Sequence, residues 1–75
     1  MFNNYIYKIM TTTIEILQQS EFLNIIHALT VCDVSFYYFA PKGEIRIDNF
    51  ADEIDSVLMS EGISEASYQL YESFS

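Results

Sequence analysis

The stretch "DVSFYYFAPKGEIRID", residues 33–48, constrains the fold more than any other part of the chain. Two β-favouring runs flank a Pro–Lys–Gly corner. Pro41 presets φ for the first turn position, and Gly43 takes the left-handed position that closes the turn. A loop over residues 40–43 sets Tyr38 opposite Ile45 and Phe36 opposite Ile47. On the other face it sets Phe39 opposite Glu44, Tyr37 opposite Arg46 and Ser35 opposite Asp48. Slipping the pairing by one residue would turn every side chain to the opposite face, so the gathering of Ile45 and Ile47 with aromatic partners selects this register.

A hairpin of this kind needs apolar elements to cover its buried face, and the flanking sequence offers them. Residues 4–10, "NYIYKIM", alternate apolar and polar and predict a first strand. Thr12 and Glu15 have capping-box spacing, which starts a helix near Thr13; the alternative is that "TTTIEI" extends the strand. Phe22, Ile25, Ile26 and Leu29 then recur at i, i+3, i+4 and i+7, the buried stripe of a helix running to Val31. After the hairpin, Asn49 is an N-cap with Asp52 three residues on. Phe50, Ile54, Val57 and Leu58 form one helical face, and Gly62 ends that helix. Ser64 caps a last helix, in which Ile63 and Tyr68 have hydrophobic-staple spacing and Leu70, Tyr71 and Phe74 supply the apolar side. The expected order is β-α-β-β-α-α. It describes a single small α+β domain over residues 1–75, a two-layer arrangement with a short antiparallel sheet and about three helices on one face.

Composition narrows the class. With 51% hydrophobic residues, six Tyr and six Phe, the chain is far too apolar for a disordered acidic tail. A lone cysteine, Cys32, excludes an intramolecular disulfide and reads as a small buried hydrophobe. The longest uncharged apolar run, residues 22–32, is interrupted by Asn24, His27 and Thr30 and falls well short of the roughly 20 residues a bilayer span needs. The N-terminus lacks an apolar signal-peptide core, so a cytoplasmic protein with no membrane attachment is expected. Met10 could itself initiate, in which case residues 1–9 would be dispensable.

The charge is lopsided. The net charge is −8, and residues 44–75 hold eight acids against Arg46 alone. Such a field repels nucleic acid and anionic lipid and attracts basic protein surfaces. Within it, "DNFADEIDSVLMSEGISEA" carries Asp48, Asp52, Glu53, Asp55, Glu61 and Glu65 with no Lys or Arg. A solvated helix face explains each acid individually. It does not explain the missing lysines, since a surface helix gains from Glu–Lys pairs at i, i+4.

Three chemistries compete for these acids. A calcium loop needs alternating oxygen ligands around a central Gly, and the stretch has no Gly before position 62. Catalysis lacks a nucleophile–base pair: His27 lies opposite its helix's apolar stripe, and Cys32 five residues on points elsewhere. No cofactor, metal or enzymatic activity is therefore expected. Charge mimicry fits better. Acids at i, i+3 on a helix rise about 4.5 Å along its axis, comparable to the charge spacing of a nucleic-acid backbone. In size and acidity the chain resembles the small phage-encoded proteins that inhibit restriction or CRISPR enzymes. That resemblance implies a basic nucleic-acid-handling partner, such as a nuclease, polymerase or effector complex, gripped through the six acids. A second surface follows from the hairpin, whose outer face presents Tyr37, Phe39 and Arg46. Either a Tyr37–Arg46 cation–π contact shields it, or it joins two copies in a homodimer, which would also enlarge a small core.

Overall fold

The hairpin forms as its turn chemistry dictates. In the computed structural model, which describes residues 10–74, β2 (Tyr37–Phe39) and β3 (Glu44–Ile47) are joined by a single 3-10 turn over Ala40–Lys42. Gly43 sits at φ 62°, and its N–H donates to the Ala40 carbonyl at 3.1 Å. The register pairs Tyr37 with Arg46, Tyr38 with Ile45 and Phe39 with Glu44, as the loop length requires. Pairing stops there. Ser35 and Phe36 leave the ladder, so the Phe36–Ile47 and Ser35–Asp48 pairs do not form, although Phe36 still packs against the core.

The expected first strand over residues 4–10 lies outside the described residues, apart from Met10. The described β1 is Met10–Ile16, so "TTTIEI" is strand and the helix start near Thr13 is overturned. Three threonines and two isoleucines suit a pleated strand better than a helix, because branching at Cβ restricts χ1. Thr12 does not cap a helix. It is buried, and its hydroxyl donates to the Asn49 carbonyl in the segment after β3.

A 3-10 turn over Gln19–Glu21 leads into α1 (Phe22–Val31), whose Ile25, Ala28 and Leu29 are buried. The apolar periodicity placed this helix correctly. It ends in a Schellman arrangement: Val34 N–H donates to Leu29 O at 2.9 Å and Asp33 N–H to Thr30 O at 3.1 Å, with Asp33 at φ 59°. α2 (Ala51–Ser60) ends the same way, with Gly62 at φ 81° and Ile63 N–H donating to Leu58 O at 2.9 Å.

The last element is a strand. Ser64 does cap, its side chain accepting from Ala66 N–H at 3.2 Å, but it caps only a 3-10 turn over Glu65–Ser67. The buried Ser67 then gives its carbonyl to Leu17 N–H and Gln18 N–H at 2.9 and 3.2 Å, locking the turn to the end of β1. From there β4 (Tyr68–Phe74) pairs along the whole of β1, from Ile16 with Tyr68 to Met10 with Phe74. A helix at this point would have left one edge of β1 unpaired beside a buried core, and a strand satisfies those backbone groups. Over the described residues the fold is thus a small α+β domain of order β-α-β-β-α-β, with an antiparallel sheet ordered β2-β3-β1-β4 and two α-helices.

Both helices cover one face of the sheet. There Ile14, Ile45, Ile47 and Tyr68 meet Ile25, Leu29, Ile54 and Leu58 in one cluster, with Ile63 at its margin. Phe22 from α1 stacks on Tyr38 with ring centroids 5.1 Å apart. Phe50, expected on the buried stripe of α2, is 56% exposed, because it is the extended residue before the helix rather than part of its first turn. No described helix is long and apolar enough to cross a membrane.

Candidate functional site

The acids of "DNFADEIDSVLMSEGISEA" are distributed by the fold into separate environments. α2 begins at Ala51 with Phe50 as an extended N-cap that offers no side-chain acceptor. The expected Asn49 cap is displaced by a carboxylate from β4: Glu72 Oε2 accepts from Ala51 N–H at 2.8 Å. An anion at a helix N-terminus is favoured by the exposed N–H groups and the helix dipole. Asn49 instead donates from Nδ2 to Glu53 Oε1 at 3.1 Å. Asp52 and Glu53 occupy the first turn and are exposed.

Asp55 is half-buried and tied to the sheet, its Oδ1 accepting from the Tyr68 hydroxyl at 2.7 Å. Burial first, then this bond and the neighbouring Asp55 and Glu65 charges, push the Tyr68 phenol well above its ordinary value. Glu65 lies exposed in the turn that feeds β4. Glu61 sits at the C-cap of α2, its carboxylate 3.8 Å from the Cys32 sulfur at the end of α1. Partial burial and Glu61 together raise the Cys32 thiol above its usual value, the opposite of what an attacking thiolate requires. His27 is exposed on α1. Among the described residues no group of three or more His, Cys, Asp or Glu side chains is placed to hold a metal ion.

Asp48 parts company with the other five. It lines an open hollow of about 340 Å³ together with Thr11, Ser35, Phe36, Tyr37 and Arg46, beside the aromatic residues assigned to the second surface. On that sheet face the guanidinium of Arg46 lies 4.4 Å from the centre of the Phe39 ring, and its Nη2 is 3.0 Å from Glu44 Oε1. The expected Tyr37–Arg46 stacking is thus replaced. Pairing with Glu44 carries the guanidinium over the diagonal neighbour Phe39 and leaves Tyr37 62% exposed. Across the sheet, Tyr71 donates to Glu15 Oε1 at 2.9 Å and is 48% exposed. That bond, with partial burial and the Glu15 charge, raises the Tyr71 phenol. No described element covers this face.

Two contributors went unread in the sequence, Glu72 and Tyr68. Alternation in "YQLYESF" was the signal for both, since it sends Tyr68, Leu70 and Glu72 toward the helices and Gln69, Tyr71 and Ser73 away. The one ion pair among the described residues is Arg46–Glu44, so the acids of α2 and of the turn before β4 have no basic partner there. Compared with known protein families, curated proteins and solved structures, the chain matches none.

Proposed function

We propose that this chain is a non-enzymatic binding protein that occupies the basic surface of a nucleic-acid-handling protein and so inhibits it, in the manner of phage-encoded inhibitors of restriction or CRISPR enzymes. The partner, and hence this chain, would work in the cytoplasm. The observation that carries the reading is the uncompensated charge along α2. Asp52 and Asp55 stand one helical turn apart, about 4.5 Å along the axis, Glu65 adds its charge in the turn before β4, and among the described residues no Lys or Arg is paired to any of them. A partner's Lys and Arg would complete these carboxylates with charge-assisted hydrogen bonds, giving fast, salt-sensitive association.

Charge reversal tests it. Asp52 and Glu65 make no side-chain hydrogen bond among the described residues, so Asp52→Lys and Glu65→Lys together leave the core bonds intact. The double variant, checked for folding by circular dichroism, should lose capture of basic host nucleases or polymerases at low salt. Undiminished capture by the folded variant overturns the reading.

A second reading, a homo-oligomeric subunit joined through the sheet's open face, is favoured by the exposure of Tyr37 and Tyr71 there. It predicts that Tyr37→Ala with Phe39→Ala lowers the sedimenting mass, and that added salt leaves the assembly unchanged or tighter.

A further inference from the structure

The sheet ends differently at its two edges. β2 offers three residues and runs into Pro41 and a 3-10 turn, which blunts it. β4 offers seven residues, contains neither Lys nor Pro, and its outward backbone groups have no backbone partner among the described residues. Long unprotected edges of this kind invite a further strand, and proteins that do not use them shield them with lysine, proline or bulges.

Charge decides what would fit. α2 is pinned over β4 by two bonds, Glu72 to Ala51 N–H at 2.8 Å and Tyr68 to Asp55 at 2.7 Å. At about 100° per residue, Asp52 and Met59 share the flank that Ala51 and Asp55 define, opposite the flank of Glu53 and Val57. The two bonds put that flank on the β4 side of α2, toward the strand's outer edge. A strand laid against β4 would turn every second side chain toward Asp52, Asp55 and Glu72, with Glu65 at one end. A second copy of this chain, also at net −8, would bring like charge to the same place.

We propose that the outer edge of β4 and that flank of α2 receive an extended segment bearing Lys or Arg at alternate positions, which joins the sheet as a fifth strand. The proposal rests on the acidic-surface reading above and specifies how the basic partner is held. Main-chain bonds to β4 supply affinity, and the alternating cations supply selectivity.

The test uses the whole chain and a synthetic peptide of about nine residues, long enough to match the edge, alternating Lys with Thr. Binding is read by titration calorimetry, and its location by amide hydrogen exchange. Amides of β4 that face outward should exchange at least about tenfold more slowly with the peptide bound. N-methylation of one alternate set of peptide amides should weaken binding at least about tenfold, while the other set is tolerated, because only one set faces the edge. A Glu-for-Lys peptide should also bind at least about tenfold more weakly.

Several results overturn the proposal, and they separate it from the reading beneath it. If both N-methylated peptides bind alike without protecting β4, yet the Asp52/Glu65 reversal abolishes binding, the acidic surface stands and strand addition fails. If the Glu peptide adds to β4 as well as the Lys peptide, the edge is used without charge selection and the basic-partner reading fails. Protection of β4 in a dimer without peptide would assign the edge to a second copy.

Discussion

The Tyr68–Asp55 bond offers the sharpest test of how the acids are used, because it makes one of them structural. Tyr68→Phe removes only the hydroxyl; the ring, 5% exposed, stays in the core and no cavity opens. The lost bond is short and charge-assisted, 2.7 Å from hydroxyl to carboxylate, and bonds to charged groups contribute about 1.5–3 kcal/mol. Asp55 is only half-buried and can be rehydrated, so the lower part of that range applies, about 2 kcal/mol at pH 8. Urea unfolding reads this directly. A cycle with Asp55→Ala should return a coupling of about 1–2 kcal/mol.

The same bond fixes a dependence on alkaline pH. The folded state holds the Tyr68 proton where the unfolded chain releases it near pH 10. A folded-state value raised in this way contributes stability that is complete below pH 10 and is lost as pH rises beyond it, at about 1.4 kcal/mol per unit. The phenylalanine variant has no such proton. The gap between wild type and Tyr68→Phe should therefore shrink from about 2 kcal/mol at pH 8 to about 0.5 kcal/mol at pH 11. Equal stability at pH 8, or a gap that stays constant to pH 11, would refute the reasoning.

Three further outcomes follow from particular contacts. Glu72→Ala, which strips the carboxylate from the start of α2, should cost about 1 kcal/mol in urea unfolding, and Glu72→Gln less, since its amide oxygen still accepts; no loss in Glu72→Ala would mean that the carboxylate does not cap α2. Gly62→Ala should cost about 1–2 kcal/mol through its φ of 81° alone, because no atom lies within 4 Å of where the added Cβ would stand, and an unchanged melting temperature would contradict that. Cys32 should react with a neutral disulfide reagent at pH 8 more slowly than a free thiol and faster after Glu61→Gln, so a rate at or above that of free cysteine would show that burial and Glu61 do not hold its proton.

Local signals were sufficient wherever the side chains and the backbone asked for the same thing. Pro41 and Gly43 closed the hairpin in the register that the aliphatic residues required, the stripe from Phe22 to Leu29 placed α1, and Gly62 stopped α2. The residues of "MTTTIEI" and "YQLYESF" could serve either as helix or as strand by spacing alone. Their state was decided by each other: β1 is central, and its two edges are satisfied only when β3 takes one and β4 the other.

The acidic surface divides along the same line. The sequence determined that the second half of the chain carries an excess of carboxylates with almost no cations, because charge is a property of composition. Which carboxylates remain free is a property of distance. Asp55 and Glu72 are drawn into bonds with Tyr68 and Ala51, and Asp48 is carried to the other side of the sheet, because residues far apart in sequence meet only once β4 lies beside β1 and α2 above it. Burial of apolar surface drives that meeting with no preference for particular polar pairs. The carboxylates take their partners from whatever the packed backbone sets within reach, and no spacing along the chain encodes that choice.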